Sequence, residues 1–316
     1  MKSRPRVLVT GAGGFVGSNI VQVFLEAGSQ VVAVDRAFDD AMRDRWLAGW
    51  GPQIDLIEAD TNRLPPVPVT AVIHAAALTA APEEAGLSAE EHVRANLEPV
   101  LDVLAWAEQQ GVKRTLVLSS DAVFRASPPG PVDETVPAHP LGLYAVAKHA
   151  AETLLDTLRE VYGRDVVTVR LGNIYGPHER SRPTRPRISL VAGMVRDALQ
   201  TGGLTVYRQA PARDWTFAPD VGRALLALVD APTVRHALYH VTSGQTLTPL
   251  EIALAIQTVL PGIHIDVREG TGRPVTRLGH MSSQRFRREF GFDRWTPFTE
   301  GLQAVIDWQR SVERAV

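Results

Sequence analysis

The first half of the chain alternates short, unbroken apolar runs with longer stretches of helical periodicity. The runs Arg6–Thr10, Gln30–Asp35, Ile54–Ala59, Ala71–Ala76, Thr115–Ser119 and Val166–Leu171 are dominated by apolar residues at consecutive positions. Side chains alternate faces along a strand, so such runs predict strands buried on both sides, as in a parallel sheet covered by helices. Helices are predicted between them: from the Gly11–Gly17 loop to about Ala27, over Glu90–Gln110 with Gly111 as its stop, and around Tyr144 to about Tyr162. The fold class expected is therefore α/β, a doubly wound parallel sheet, whose ligands bind beyond the carboxyl ends of the strands. After Asn173 the alternation loosens, and segment 176–187 is rich in Pro and Arg. This change divides the chain into a sheet domain over 1–173, rejoined by about 213–243, and a smaller lobe from 174–212 and 244–316.

Composition narrows the partners. A chain of 316 residues suits one large α/β domain plus a smaller lobe. Its formal net charge of −2 offers nothing to nucleic acid or an anionic membrane, so neither is expected as a partner. The chain has no cysteine, which excludes disulfides, thiolate metal sites and cysteine nucleophiles. No His, Asp or Glu set has metal-ligand spacing with a convincing partner, so no metal is expected. No apolar run reaches the length of a signal peptide or a membrane span, and a cytoplasmic location is expected.

The candidate chemistry gathers at predicted strand ends. Gly11, Gly14 and Gly17 form Gly-x-x-Gly-x-x-Gly between a strand and a helix, with Phe15 and Val16 opening that helix. Glycine lets the backbone turn tightly and approach a pyrophosphate, which then sits at the helix N-terminus. Asp35 ends the next strand, where a carboxylate can accept hydrogen bonds from a ribose diol. It would repel a 2′-phosphate, so NAD is favoured over NADP; Arg36 beside it keeps NADP open. Asp60 and Thr61 follow the third strand. Ala75, Ala76 and Ala77 follow the fourth, where small side chains let the backbone lie against a cofactor. His74, just before them, reads as a buried, hydrogen-bonded histidine. Tyr144 and Lys148 stand four residues apart, one turn from each other on one helix face. A nearby cation favours phenolate and lowers a tyrosine pKa from its usual ~10, giving a general acid/base usable near neutral pH. Lysine occurs only at positions 2, 113 and 148 among 33 basic residues, so arginine is the default cation and Lys148 stands out.

These residues, together with His74-Ala-Ala-Ala77, Ser119-Ser-Asp-Ala-Val-Phe124, Arg170-Leu-Gly-Asn-Ile-Tyr-Gly-Pro177, Arg213-Asp-Trp-Thr-Phe-Ala-Pro-Asp220 and Tyr239-His-Val-Thr-Ser-Gly244, carry a resemblance over almost the whole chain. The chain resembles the extended short-chain dehydrogenase/reductase family, in its NAD-dependent epimerase/dehydratase branch acting on nucleotide sugars. The resemblance implies a Rossmann domain with a smaller C-terminal substrate-binding lobe. It also implies three catalytic residues: Tyr144 as acid/base, Ser120 bonded to the reacting oxygen, and Lys148 on the nicotinamide ribose, lowering the Tyr144 pKa. Asn96 and Ser119 join the implied cofactor set. Thr79, Asp121, Ala122, Asn173, Arg182, Arg213 and Arg273 form the implied substrate set, with Asn173 on the sugar nucleotide and Arg213 on its diphosphate.

Departures from the family pattern narrow the chemistry. Relatives that dehydrate carry Asp-Glu after the catalytic Ser or Thr, and the Glu removes the proton beside the keto group. Here the pair is Asp121-Ala122, which argues against dehydration and equally against decarboxylation. Phe124 replaces a commoner Tyr, and Thr276 takes a place where the family often has Asp. The segment from His178 to Arg187 holds Arg180, Arg182, Arg185 and Arg187. Arginine forks suit phosphate or carboxylate oxygens, so the segment is expected either to close over an anionic substrate or to be a solvated loop. The activity expected is NAD-dependent epimerisation of a nucleotide-activated sugar through a transient keto intermediate. Alternatives are a net NAD(P)-dependent dehydrogenase or ketoreductase of a sugar nucleotide or free sugar acid, and a non-catalytic dinucleotide-binding regulator. Apolar stripes on the helices near 90–110 and 144–161 match a dimer contact of relatives, so a homodimer is expected.

Overall fold

The computed structural model describes residues 4–124, 131–271 and 280–313. The expectations placed on Arg273 and Thr276 lie outside these residues. Strands β1 (Arg6–Thr10), β2 (Gln30–Asp35), β3 (Ile54–Glu58), β4 (Ala71–His74), β5 (Arg114–Ser120) and β6 (Val166–Leu171) fall on the apolar runs. β4 stops at His74 rather than Ala76, and the small residues 75–77 run out of the sheet as a loop. Later strands are β7 (Asn173–Tyr175), β8 (Gly203–Tyr207), β9 (Arg213–Phe217), β10 (Leu238–Val241), β11 (Thr246–Leu247) and β12 (His264–Arg268).

Among the described residues the main sheet has seven strands in the order β10-β6-β5-β4-β1-β2-β3, and every pair in it is parallel. Its register sets Thr10 beside both Val34 and His74, and Ser120 beside Leu171. The carboxyl ends of five neighbouring strands therefore share one edge. Strand order reverses between β1 and β4, which opens a crevice there.

Helices α1 (Phe15–Glu26), α2 (Asp40–Trp50), α3 (Pro82–Ala85), α4 (Ala89–Gln109) and α5 (Leu143–Glu160) connect these strands. They are followed by α6 (Leu190–Thr201), α7 (Ala218–Asp230), α8 (Pro249–Val259), α9 (Gln284–Phe290) and α10 (Phe298–Glu313). α4 opens with a reciprocal cap: Glu91 N–H donates to Ser88 Oγ at 3.2 Å and Ser88 N–H to Glu91 Oε2 at 2.8 Å. α2 was not foreseen, because it buries only Met42 and Trp46 and so carries little apolar periodicity. On one face of the sheet α1 packs against α7; a Cβ on Gly222 would stand 2.9 Å from Val23, so glycine permits that approach. On the other, α4 and α5 bury Val100, Leu104, Ala151 and Leu155 against Val117 and Val166. No helix among the described residues is long and apolar enough to cross a membrane.

A second core lies beyond β6. There α6, α8 and α10 enclose Val195, Ile252, Ile256, Leu302 and Ile306, together with Trp215 and Phe217 of β9. β9 pairs with β7 and β11 rather than with the main sheet, whereas α7 and β10 return to it.

Asp214 of β9 is one of the links between the two cores. It is 6% exposed and accepts a hydrogen bond from the hydroxyl of Thr242, just past β10. Its other oxygen, Oδ1, meets no donor among the described residues. Burial pushes its pKa up to about 7; the Thr242 bond opposes this and the Asp121 carboxylate adds to it. A folded pKa above the unfolded one gives stability that is complete at acid pH and is lost as the pH rises to about 7. Asp214→Asn escapes that loss. In calorimetry its Tm relative to wild type should rise between about pH 5 and about pH 8; a difference that falls over this range would mean that the carboxylate stabilises the fold as an anion.

Candidate active site

A cleft of about 1000 Å³ runs along the carboxyl edge of the sheet. Gly11, Gly14, Phe15, Val16 and Gly17 form one wall and Ala75, Ala76 and Ala77 its floor. Gly11 has φ +69°, and a Cβ there would stand 2.5 Å from the Ala76 nitrogen, so only glycine lets these loops meet. A Cβ on Gly17 would run into the Gly11 carbonyl. α1 begins with no side-chain cap and no acidic residue in its first turn. Its first N–H groups therefore lack side-chain acceptors, and an anion is the natural partner for them. Asp35 and Arg36 line the cleft further along. Asp35 Oδ2 accepts from Gly13 N–H at 2.9 Å and Oδ1 from Arg36 N–H at 2.7 Å, and each oxygen has a further lone pair for a hydroxyl. Asp60 caps Thr61 N–H at 2.9 Å, and the Thr61 hydroxyl donates to Asp102 at 2.9 Å. The glycine cradle, the uncapped helix start and the strand-end carboxylate fit a dinucleotide.

Ser120, at the end of β5, faces the same cleft. Its Oγ donates to Asp121 Oδ1 and accepts from Ala122 N–H, each at 3.1 Å. α5 starts from Gly142, whose φ of +94° suits glycine, and its first two turns bring Tyr144 and Lys148 to the cleft. Lys148 Nζ lies 5.7 Å from the Tyr144 ring centroid and donates to the Leu118 carbonyl at 2.9 Å.

Burial pushes the Tyr144 pKa up to about 12, with the Asp121 carboxylate adding to the rise and Arg185 and Ser120 opposing it. Burial also pushes Lys148 itself down to about 8, against the pull of Glu152. Desolvation outweighs the neighbouring ammonium, which is engaged by a backbone carbonyl. Burial raises Asp121 to about 6, with Ser120 and Arg213 opposing.

Thr79, Asn173, Arg182 and Arg213 also line the cleft. Asn96 and Ala122 are not among its lining residues. The Asn96 carboxamide lies behind the wall, accepting from Leu78 N–H at 2.9 Å and donating to Leu78 O at 3.1 Å, so it shapes the loop after β4. Ser119 lines the cleft, but its hydroxyl is taken by Glu152 at 2.5 Å. Arg170 clamps that buried carboxylate through Nε at 2.8 Å and Nη2 at 2.7 Å. His74 is buried; its Nδ1 meets Thr10 Oγ1 at 2.8 Å, while Nε2 meets no partner among the described residues.

The arginine-rich segment is partly solvated, with the Arg187 side chain 81% exposed, yet several of its arginines are paired. Arg180 pairs with Asp39 at 3.1 Å, Arg185 with Glu179, and Arg187 with Glu84 at 2.7 Å. Thr184 O accepts from Thr79 N–H at 2.9 Å and Ala80 N–H at 3.1 Å. Glu152, Arg170, Glu179 and Asp39 are the polar groups that sequence reasoning missed. Only Glu152, one turn beyond Lys148, gave a signal that helical spacing could have caught. Among the described residues no group of three or more His, Asp or Glu could hold a metal ion.

The model of the NAD dependent epimerase/dehydratase family matches residues 7–240. A dTDP-glucose 4,6-dehydratase of Streptomyces niveus is 29% identical over 96% of this chain and 93% of that protein. MoeE5, solved in complex with UDP-glucuronic acid and NAD, is 26% identical with a TM-score of 0.79, covering 97% of this chain and 99% of that one. A UDP-glucose-4-epimerase from Stenotrophomonas maltophila, solved with bound NAD and formylated UDP-arabinopyranose, shares the fold at a TM-score of 0.85. Its identity is 22%, covering 99% of this chain and 100% of that one. With the family's pattern running through glycine loop, sheet and cleft alike, this chain belongs to the NAD-dependent epimerase/dehydratase family.

Proposed function

We propose that this protein is an NAD-dependent epimerase of a nucleotide-activated sugar, working through transient oxidation of one sugar hydroxyl to a ketone. The observation that carries this reading is that Ser120, Tyr144 and Lys148 line the cleft beside the glycine loop. In the sequence, moreover, Asp121 is followed by Ala122 and not by the glutamate that dehydrating relatives carry there. The groups for reversible oxidation of an alcohol are present, while the glutamate that elimination of water would use as its base is not.

The dinucleotide is held by the Gly11–Gly17 loop, the start of α1 and Asp35, with Asp60, Thr61 and Ala75–Ala77 along its length. When bound, oxidised NAD supplies the hydride acceptor and a positive charge near Tyr144. Once ionised to the phenolate, which that positive charge favours, the Tyr144 oxygen takes the proton of the substrate hydroxyl and later returns it. Ser120 donates a hydrogen bond to the same oxygen as it becomes a carbonyl, and Lys148 contributes positive charge beside Leu118. Asn173 and Arg213 hold the sugar nucleotide and its diphosphate. The oxidised sugar turns over in the cleft and is reduced on its other face, so no net NADH appears. Relatives that bind UDP-glucuronic acid, or act on dTDP-glucose, support a sugar nucleotide as substrate class. α4 and α5 offer a homodimer contact: Leu101, Val146, Val161 and Tyr162 are exposed on them and at the α5 end.

UDP-, dTDP-, GDP- and CDP-sugars, with free uronic acids as controls, test the reading when product stereochemistry and NADH absorbance are followed together. Inversion at one carbon without net NADH is expected. Stoichiometric NADH, or a product that has lost water, would overturn it. Tyr144→Phe should lower kcat by ~10²–10⁴-fold and leave bound NAD within a few fold of wild type. Asp121→Asn removes the negative charge that raises the Tyr144 pKa. The rising limb of its kcat/KM profile should therefore move to lower pH than in wild type, and a shift to higher pH would contradict the assignment.

A further inference from the structure

The segment from Gly176 to Ser189 crosses the cleft and is tied down on both sides. Arg180 reaches Asp39, just beyond β2, and Arg187 reaches Glu84, in α3 beyond β4. Between these anchors Thr184 O takes the N–H groups of Thr79 and Ala80, and Arg182 and Arg185 exchange backbone hydrogen bonds at 3.0 and 2.9 Å. Arg185 sits at the centre. Its guanidinium lies 5.2 Å from the centroid of the Phe15 ring, and Phe15 is the first residue of α1. Glu179, whose side chain is fully buried, holds the Nη2 edge of the fork; its carboxylate is fixed in turn by Ser189 N–H at 2.8 Å and Ser189 Oγ at 2.6 Å. The Nε–H of Arg185 is buried and has no acceptor among the described residues.

The Arg185 side chain as a whole is 31% exposed and lines the cleft together with the glycine loop and Phe15. An anion in the cleft can therefore meet a fixed cation and the uncapped start of α1 at once. Ordering this arginine costs little on binding, because Glu179 and the Phe15 ring already fix it. A diphosphate offers oxygens to both sides at once. Phe15 belongs to the glycine loop, which favours the diphosphate of the dinucleotide over that of the sugar nucleotide.

We propose that Arg185, carried by the smaller lobe and aimed by Glu179, grips the diphosphate of the bound dinucleotide and retains it through turnover. This rests on the dinucleotide reading given under Proposed function. The strap thus favours a reaction in which hydride leaves and returns to one resident cofactor.

Exchange of protein-bound NAD⁺ for radiolabelled NAD⁺ tests the assignment, with UDP and dTDP as competitive inhibitors reporting on the substrate side. In Arg185→Gln, exchange should be faster by roughly 10-fold or more, while inhibition by UDP and dTDP stays within about 2-fold of wild type. Arg185→Lys keeps the pair with Glu179 but loses the fork, and should exchange at an intermediate rate; it carries the test if the glutamine variant does not fold. Exchange unchanged in a folded variant would overturn the proposal. So would weakened UDP or dTDP inhibition with unchanged exchange, which would give Arg185 to the substrate. A wild type that binds no NAD⁺ at all would sink the broader functional reading instead.

Discussion

A side chain of even one carbon at residue 11 would stand 2.5 Å from the Ala76 nitrogen, so the crevice between β1 and β4 can close only around glycine. Everything in the site refers back to that approach. It brings the loop after β1 against the loop after β4 and leaves the first turn of α1 open to the cleft. The parallel register then sets Thr10 level with His74 and Val117, and β5 runs three residues further to bring Ser120 to the same edge. A single chain of strand pairings thus delivers cofactor-binding geometry and candidate catalytic side chains to one place.

Burial sets the chemistry at that edge more strongly than any pair of neighbouring charges. Lys148 is buried and Tyr144 and Asp121 are half-buried at the cleft, and each is displaced toward its neutral form. Lys148 spends a donor on Leu118 O, and Glu152 counters the loss of its charge from one helical turn away. Glu152 is in turn neutralised by Arg170 and bonded to Ser119. The acid/base couple is therefore supported by a second, fully internal polar layer.

The two cores divide the work. The main sheet fixes the dinucleotide side, and the smaller lobe supplies what faces it across the cleft: Arg213 and Trp215 from β9, and Arg182 and Arg185 from the strap. Asp214 and the strap tie the lobes together, so the cleft is a property of neither core alone. The aromatic stack of Tyr175, Phe217 and Phe298, with ring centroids 4.9 and 5.5 Å apart, stiffens the base of that second wall.

The sequence by itself determined the doubly wound sheet, because runs such as Val7–Val9 and Val31–Val34 leave no polar face to expose. It also marked the glycine loop, Asp35, and the Tyr144–Lys148 pair as candidates, since each is written in residues close together whose spacing carries its meaning, while Ser120 came from the family resemblance. α2 escaped it because two buried side chains make too faint a pattern. Only the tertiary structure decided the rest. Asn96 turned to the backbone of Leu78, the arginines of the segment from Gly176 to Ser189 found Asp39, Glu84 and Glu179, and Tyr144 came under the field of the Asp121 carboxylate. The physical reason is that desolvation and ion pairing depend on which groups the fold brings together, up to 141 residues apart in these hydrogen bonds, and no local periodicity records that.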